Sequence, residues 1–278
     1  MISESPRGKN HENFNCKHRR KIDLNLVSTT YGQGPDLVLL HGWGLNSGVW
    51  QALIPSLQSC FRLTTIDLPG FGLNHQQLPE SFSLDNIATA VADVIPDDCA
   101  VLGWSLGGLV AQQLALNAQH KIRQLILVAT SPCFMASHNW PGMQANVLEN
   151  FNAQLEQNLA LTISRFLAIQ AIGSPSAKQD IKDIKHYLQQ YPQAHPRALH
   201  GGLQLLQDCD LRAQTNAITC PVTYILGRLD SLVPVVLQHH LPGLYPQLAI
   251  EIFDKSSHAP FISEPLLFTQ VVTRILTT

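Results

Sequence analysis

Apolar residues along this chain fall into two alternating patterns. One is a set of short runs, apolar on both faces, at 22–27, 36–40, 61–67, 99–102, 122–129, 221–227 and 249–253. The other is longer stretches with helical spacing, at 49–57, 84–95, 108–117 and 266–276. Short continuous apolar runs bounded by turn residues read as buried strands. Strands alternating with helices predict a parallel sheet covered on both faces. The rhythm breaks at Ser131-Pro132-Cys133. From there to about 210 no strand is predicted, and helical spacing runs through 147–157, 159–172 and 177–188. The expected architecture is an α/β core over 22–132 and 211–278, with an all-helical cap inserted at 133–210. Residues 1–21 read as a disordered basic tail.

One stretch organises the rest. Gly103-Trp104-Ser105-Leu106-Gly107 joins a predicted strand to a predicted helix. Gly-x-Ser-x-Gly arises by chance in roughly one chain in ten of this length, so its weight comes from that setting. Strand, tight turn and helix make a nucleophile elbow, which lifts a serine hydroxyl clear of the backbone. A helix N-terminus there also favours developing negative charge.

A serine needs a base, and the base needs an orienting acid; on such a sheet they follow in the order Ser, acid, His. The predicted strand ending at Gly227 is followed by Asp230, and the one ending at Phe253 by His258. Both fall beyond strand C-termini, where catalytic groups of parallel sheets gather. Asp208, Asp210 and Asp254 are rival acids, but none directly follows a strong strand in the right order. Asp67 precedes the serine and reads as a cap of the turn 67–70. The backbone N–H groups of Leu106 and of Trp43, in the loop His41-Gly42-Trp43-Gly44, are the candidate oxyanion donors. Trp43 also reads as a large hydrophobe packed beside the elbow.

Composition adds bounds. The 278 residues are 45% hydrophobic with a net charge of −2, so a sizeable core is available and nothing global suggests nucleic acid. No apolar run reaches the roughly eighteen residues a membrane helix needs. The tail lacks the apolar segment of a secretory leader. The six cysteines form no C-x-x-C pair and match no zinc spacing, which suits a reducing cytoplasm. His239-His240 is an adjacent pair, without the i, i+4 spacing of two helical metal ligands.

His41 to Asn46, Asp67 to Gly72, Leu102 to Val110, Ser131-Pro132-Cys133-Phe134, Arg165-Phe166-Leu167-Ala168 and His258 to Ser263 together resemble the α/β-hydrolase superfamily from about residue 22 onward. The resemblance is nearer to its pimeloyl-acyl-carrier-protein methyl ester esterases of biotin synthesis, through Trp104 in the elbow and Ser-Pro-Cys-Phe before the cap. It implies a cytoplasmic serine esterase, without cofactor, that cleaves a methyl ester while the acyl chain stays on its carrier. It also implies an acyl chain lying between cap and core, against Phe166, Leu167, Ala168, Ile169 and Gln170, beside Trp43, Ser105, Leu106 and His258. Phe166, Ile169 and Gln170 share a helix face by spacing, while Leu167 and Ala168 rest on the resemblance alone. The same stripe also reads as cap-to-core packing. The basic extension departs from the family pattern.

Two further expectations concern partners and rivals. Lys178, Lys182 and Lys185 fall at i, i+4 and i+7 on one face of a helix over 177–188, with Asp180 and Asp183 on another. With Arg165 they form a candidate docking face for the acidic acyl carrier protein; a solvated lysine face is the alternative. No nucleic-acid or membrane partner is expected, and a monomer is. Competing functions are a general short-chain carboxylesterase or carbon–carbon bond hydrolase of the same fold, and a non-catalytic small-molecule receptor.

Overall fold

The computed structural model describes residues 24–157, 159–170 and 176–278; the expected basic tail lies outside them. Seven strands, β1 (Ser28–Tyr31), β2 (Asp36–Leu40), β3 (Arg62–Ile66), β4 (Cys99–Trp104), β5 (Ile122–Val128), β6 (Val222–Gly227) and β7 (Leu248–Phe253), form one sheet. Their order is β1-β3-β2-β4-β5-β6-β7. Only β1, at the edge, is antiparallel to its neighbour.

The helices of the described residues are α1 (Ile54–Leu57), α2 (Leu84–Ala92), α3 (Leu106–Asn117), α4 (Ala145–Gln157), α5 (Leu159–Gln170), α6 (Ala177–Leu188), α7 (Pro196–Asp208), α8 (Pro260–Ser263) and α9 (Pro265–Thr277). Successive strand residues alternate between two apolar layers, as a sheet buried on both faces requires. Val38, Leu40, Val101, Leu125, Leu127 and Tyr224 join α2 and α3 in one layer. Leu37, Leu39, Leu102, Ile126, Val128 and Ile225 join α1 and α9 in the other.

Two predicted elements differ, and α7 was not predicted. The first strand forms at 28–31, and of the expected 22–27 the described residues 24–27 are loop. Ser28 to Tyr31 is a half-exposed edge strand with little apolar signal, whereas Leu26 is buried as loop. Asn74 takes both backbone groups of Val27, accepting its N–H at 2.7 Å and donating to its C=O at 3.0 Å, which leaves that residue nothing for a ladder. The predicted helix 49–57 splits into a 3₁₀ turn at Ser47–Trp50 and the short α1. Pro55 has no N–H to carry the hydrogen bonds back across the join. Helix α7 is additional. Its apolar face is interrupted by Gly201 and Gly202, which hides the helical period. The glycines let it approach closely: a Cβ on Gly202 would stand 2.6 Å from the Trp43 ring, and one on Gly201 would meet Phe82.

Helices α4 to α7 form the insertion between β5 and β6. Its two ends meet, with Leu211 N–H donating to Pro132 O at 2.8 Å and Cys133 bridged to Asp210. Its far end reaches the loops beyond the strands, where His195 N–H donates to Gly70 O at 2.8 Å. No helix of the described residues is long and apolar enough to cross a membrane.

The crossing of β4 and α3 has no spare room. A Cβ on Gly103 would strike Gly107 O, and one on Gly107 would strike Leu40 O and His41 O. Backbone cannot yield as a flexible side chain can, so Gly107→Ala should cost about 1–3 kcal/mol of stability or more. Urea unfolding measures this; an unchanged midpoint would contradict so close a crossing.

Candidate active site

Ser105 sits between the end of β4 and the start of α3 with φ +54° and ψ −118°. A non-glycine residue at positive φ costs on the order of 1–3 kcal/mol and persists only when its surroundings over-determine it. Here they do. The Ser105 N–H donates to Val128 O at 3.0 Å, and its C=O accepts from Gly108 N–H, Leu109 N–H and the Thr130 hydroxyl, the last at 2.7 Å. The serine is 3% exposed.

Asp230 and His258 meet beyond β6 and β7. Asp230 Oδ1 accepts the N–H groups of Leu232 and Val233 at 2.8 and 3.0 Å. Its Oδ2 lies 2.8 Å from His258 Nδ1. One oxygen thus fixes the acid's loop and the other holds the imidazole. With its proton on Nδ1 toward the carboxylate, the neutral ring has Nε2 as its basic nitrogen. That Nε2 is buried and has no hydrogen-bond partner among the described residues. The loop carrying His258 is tied to the acid's loop by Leu229 N–H donating to Ser256 O at 3.0 Å, and to α9's start by Ser256 Oγ donating to Glu264 at 2.6 Å.

The rival acids are engaged elsewhere. Asp210 pairs with Arg212 at 2.6 Å, and that hydrogen-bonded guanidinium holds its carboxyl below the usual range. Asp254 pairs with Arg228, and Asp208 accepts from Gln204, each at 2.5 Å. Asp67 does more than cap a turn: it accepts Ser47 N–H at 2.5 Å and Leu73 N–H at 2.7 Å, tying two loops together.

The loop after β2 runs against the elbow. A Cβ on Gly42 would stand 3.3 Å from Ser105 Cβ and 3.2 Å from the Trp104 ring. Gly42, the residue before Trp43, thus packs against the serine, while Leu106 supplies the first helical N–H of α3, where such groups have no intrahelical acceptor. His41, at the head of this loop, is fully buried. Its Nε2 accepts Leu68 N–H at 3.0 Å, so Nδ1 carries the proton and donates to Gly42 O at 2.8 Å. Burial holds its protonation below the ordinary histidine value of 6.5, although Asp67, 3.8 Å away, pulls the other way. Sequence reading used His41 only as part of a motif. Its structural role could be found only from its contact with the turn at Leu68.

The expected acyl-binding positions separate. The Trp43 indole donates to Leu199 O at 2.8 Å and meets Phe166 edge-on at 4.8 Å; Phe166 in turn meets Phe151 edge-on at 5.3 Å. Phe166 and Leu167 are buried, in opposite apolar layers, and Ala168 is exposed. The side chains of Ile169 and Gln170 lie outside the described residues. A cavity of about 720 Å³ begins just after Trp43, lined by Leu45, Ile163, Leu167, Lys185, Leu188 and Tyr191 among others; Ser105 and His258 do not line it. Lys178, Lys182 and Lys185 are exposed on α6. Arg165, on α5, is exposed and donates to Gln154 at 2.7 Å. Among the described residues no cluster of three His, Cys, Asp or Glu side chains could hold a metal ion.

Residues 35–265 match the family model of the α/β hydrolase fold. The chain is 51% identical over 243 residues to the pimeloyl-[acyl-carrier protein] methyl ester esterase of Pseudoalteromonas atlantica, covering 87% of this chain and 94% of that one. To the protein of the same name from Aeromonas hydrophila it is 47% identical over 249 residues, covering 90% and 98%. Among solved structures it is similar to an esterase from Exiguobacterium antarcticum, with TM-score 0.83 and 21% identity over 92% of this chain and 98% of that one. It is also similar to the enol-lactonase from Burkholderia xenovorans, with TM-score 0.78 and 17% identity over 92% and 98%. At such identities the solved structures share the fold.

His41 links this site to pH. It is neutral in the folded chain, and the unfolded chain protonates it more readily. The unfolded state therefore binds more protons below about 6.5. The stabilisation from a neutral His41 is full above that value and is lost as pH falls. One proton is worth up to about 1.4 kcal/mol per pH unit. His41→Gln should flatten the fall of unfolding free energy between about pH 6.5 and 5 by up to that slope. An unchanged slope would assign the titration to other groups.

Proposed function

The chain belongs to the α/β-hydrolase family, among its pimeloyl-[acyl-carrier protein] methyl ester esterases, and on that premise we propose the following reaction. It hydrolyses the methyl ester of a pimeloyl chain carried on acyl carrier protein, releasing methanol and the carrier-bound acid, in biotin synthesis. Ser105 Oγ attacks the ester carbonyl as His258 Nε2 takes its proton. Asp230 holds the Nδ1 proton and stabilises the imidazolium. The backbone N–H groups of Trp43 and Leu106 receive the oxyanion. His258 returns the proton to the departing methoxide, then activates the water that cleaves the acyl-enzyme. The observation that supports this most is the 2.8 Å His258–Asp230 bond, on adjacent strand ends and in the chain order Ser, Asp, His. The narrower substrate, against a general short-chain esterase, is supported by relatives of that name at 45–51% identity.

The insertion of α4 to α7 serves as the cap in this reading. Phe166 serves the site through Trp43, whose ring it meets, more than by lining an open channel; its burial supports this. Arg165, Lys178, Lys182 and Lys185 form the face that meets the acidic carrier. The exposure of all four supports it, and opposite charge steers encounter and fixes register. The same reading carries a monomer of the cytoplasm that works without a cofactor.

Ser105→Ala should lower kcat by about a thousandfold or more and abolish covalent labelling by a serine-directed phosphonate. Labelling that persists at the wild-type rate would remove Ser105 as nucleophile. Reversing Lys178 and Lys182 to Glu should raise KM for the carrier-bound ester and weaken its salt dependence, with a small free methyl ester turned over as before. Equal losses on both substrates would indicate damage to the insertion, and no loss on either would make the lysines a solvated face.

A further inference from the structure

Trp104 stands between the two halves of the site. It is the last residue of β4, it precedes Ser105 in the chain, and it is fully buried. Its indole N–H donates to the backbone C=O of His258 at 2.7 Å, across 154 positions of sequence. Its ring lies 5.8 Å from the His258 imidazole. Phe261, three residues beyond His258, meets the indole edge-on at 4.9 Å, and Trp50 meets it edge-on at 6.4 Å. Trp50 and Phe261 also contact each other at 4.6 Å, so the indole is wedged and cannot swing away.

We propose that Trp104 is a positioning residue for His258, setting the spacing between the serine and the base. The inference rests on the reading of His258 as general base. Asp230 orients the imidazole through Nδ1, but a side chain can turn only about a backbone that is itself fixed. His258 lies in irregular chain between β7 and α8, where no strand ladder fixes its carbonyl. The Trp104 indole supplies that fixed point, and it does so from the residue next to Ser105. A side chain present only to fill the core would need no N–H aimed at that carbonyl; phenylalanine or leucine would fill it without an indole donor to satisfy. Displacement of a reacting group by a fraction of an ångström is enough to slow a reaction that depends on near-attack geometry.

The test replaces Trp104 by benzothienylalanine, which keeps the shape of indole with sulfur in place of N–H. Trp104→Phe is made alongside it. Active serine is titrated with a phosphonate, so that kcat is expressed per competent site. The benzothienyl protein should show kcat lowered about tenfold with KM changed by less than about twofold. The low-field proton resonance of the His258–Asp230 hydrogen bond should shift or broaden with it, a change that core filling alone would not produce. An unchanged kcat per titrated site, with that resonance in place, would overturn the proposal even if thermal stability fell. His258→Ala separates this from the underlying reading. If that variant is inactive while the benzothienyl protein keeps full kcat, the positioning role alone falls. If His258→Ala keeps wild-type kcat, the general-base reading falls and the proposal with it.

Discussion

The close crossing of β4 and α3 is the constraint on which the site depends. It exists because Gly103 and Gly107 leave no Cβ between strand and helix. It forces Ser105 into a positive-φ conformation that an isolated chain would avoid. That conformation survives because both backbone groups of Ser105 are hydrogen-bonded, its N–H to the end of β5 and its C=O to the first turn of α3 and Thr130. The same crossing presses Gly107 against the carbonyls of Leu40 and His41, which locates the loop carrying Trp43. Serine conformation and the place of the neighbouring loop are therefore two results of one packing arrangement.

Much of this was legible in the sequence. The elbow announced itself as Gly-x-Ser-x-Gly between an apolar run and a helical one. The meeting of Asp230 with His258 was legible from strand order, because a parallel sheet brings the C-termini of its strands to one edge whatever lies between them in sequence. What sequence reading missed has specific causes. The edge strand Ser28–Tyr31 has only one neighbour and so need not be apolar. Helix α7 carries Gly201 and Gly202 at its contact with Phe82 and Trp43, and glycine at a helical position reads as a break. Spacing put Phe166, Ile169 and Gln170 on one face and only the family resemblance added Leu167, and Phe166 and Leu167 pack into opposite layers. Which neighbour a face meets is a tertiary property that spacing alone does not contain.

Trp43 joins the core to the insertion. Its backbone belongs to the loop beside Ser105, while its indole donates to α7 and meets Phe166 of α5 edge-on. A shift of α5 or α7 would pull on the residue that follows Gly42, whose Cα side packs against Ser105. The helices of the insertion therefore have a short mechanical route to the loop beside Ser105. The route is two residues long, Phe166 and Trp43, and both are buried.

Burial also explains why the site needs so many backbone anchors. Ser105 is 3% exposed and His258 and Asp230 are almost wholly enclosed. Water is unavailable to correct a misplaced polar group there, and each unpaired one is costly. Asp230 therefore spends one oxygen on Leu232 and Val233 and the other on His258. His258 gives its ring to Asp230 and its carbonyl to Trp104. Among the described residues His258 Nε2 is a buried polar atom without a hydrogen-bond partner, and it is the ring nitrogen that the Asp230 contact leaves over. In so enclosed a site an unpaired polar atom is costly, and the hydrogen bonds around the imidazole confine that cost to one position on the ring.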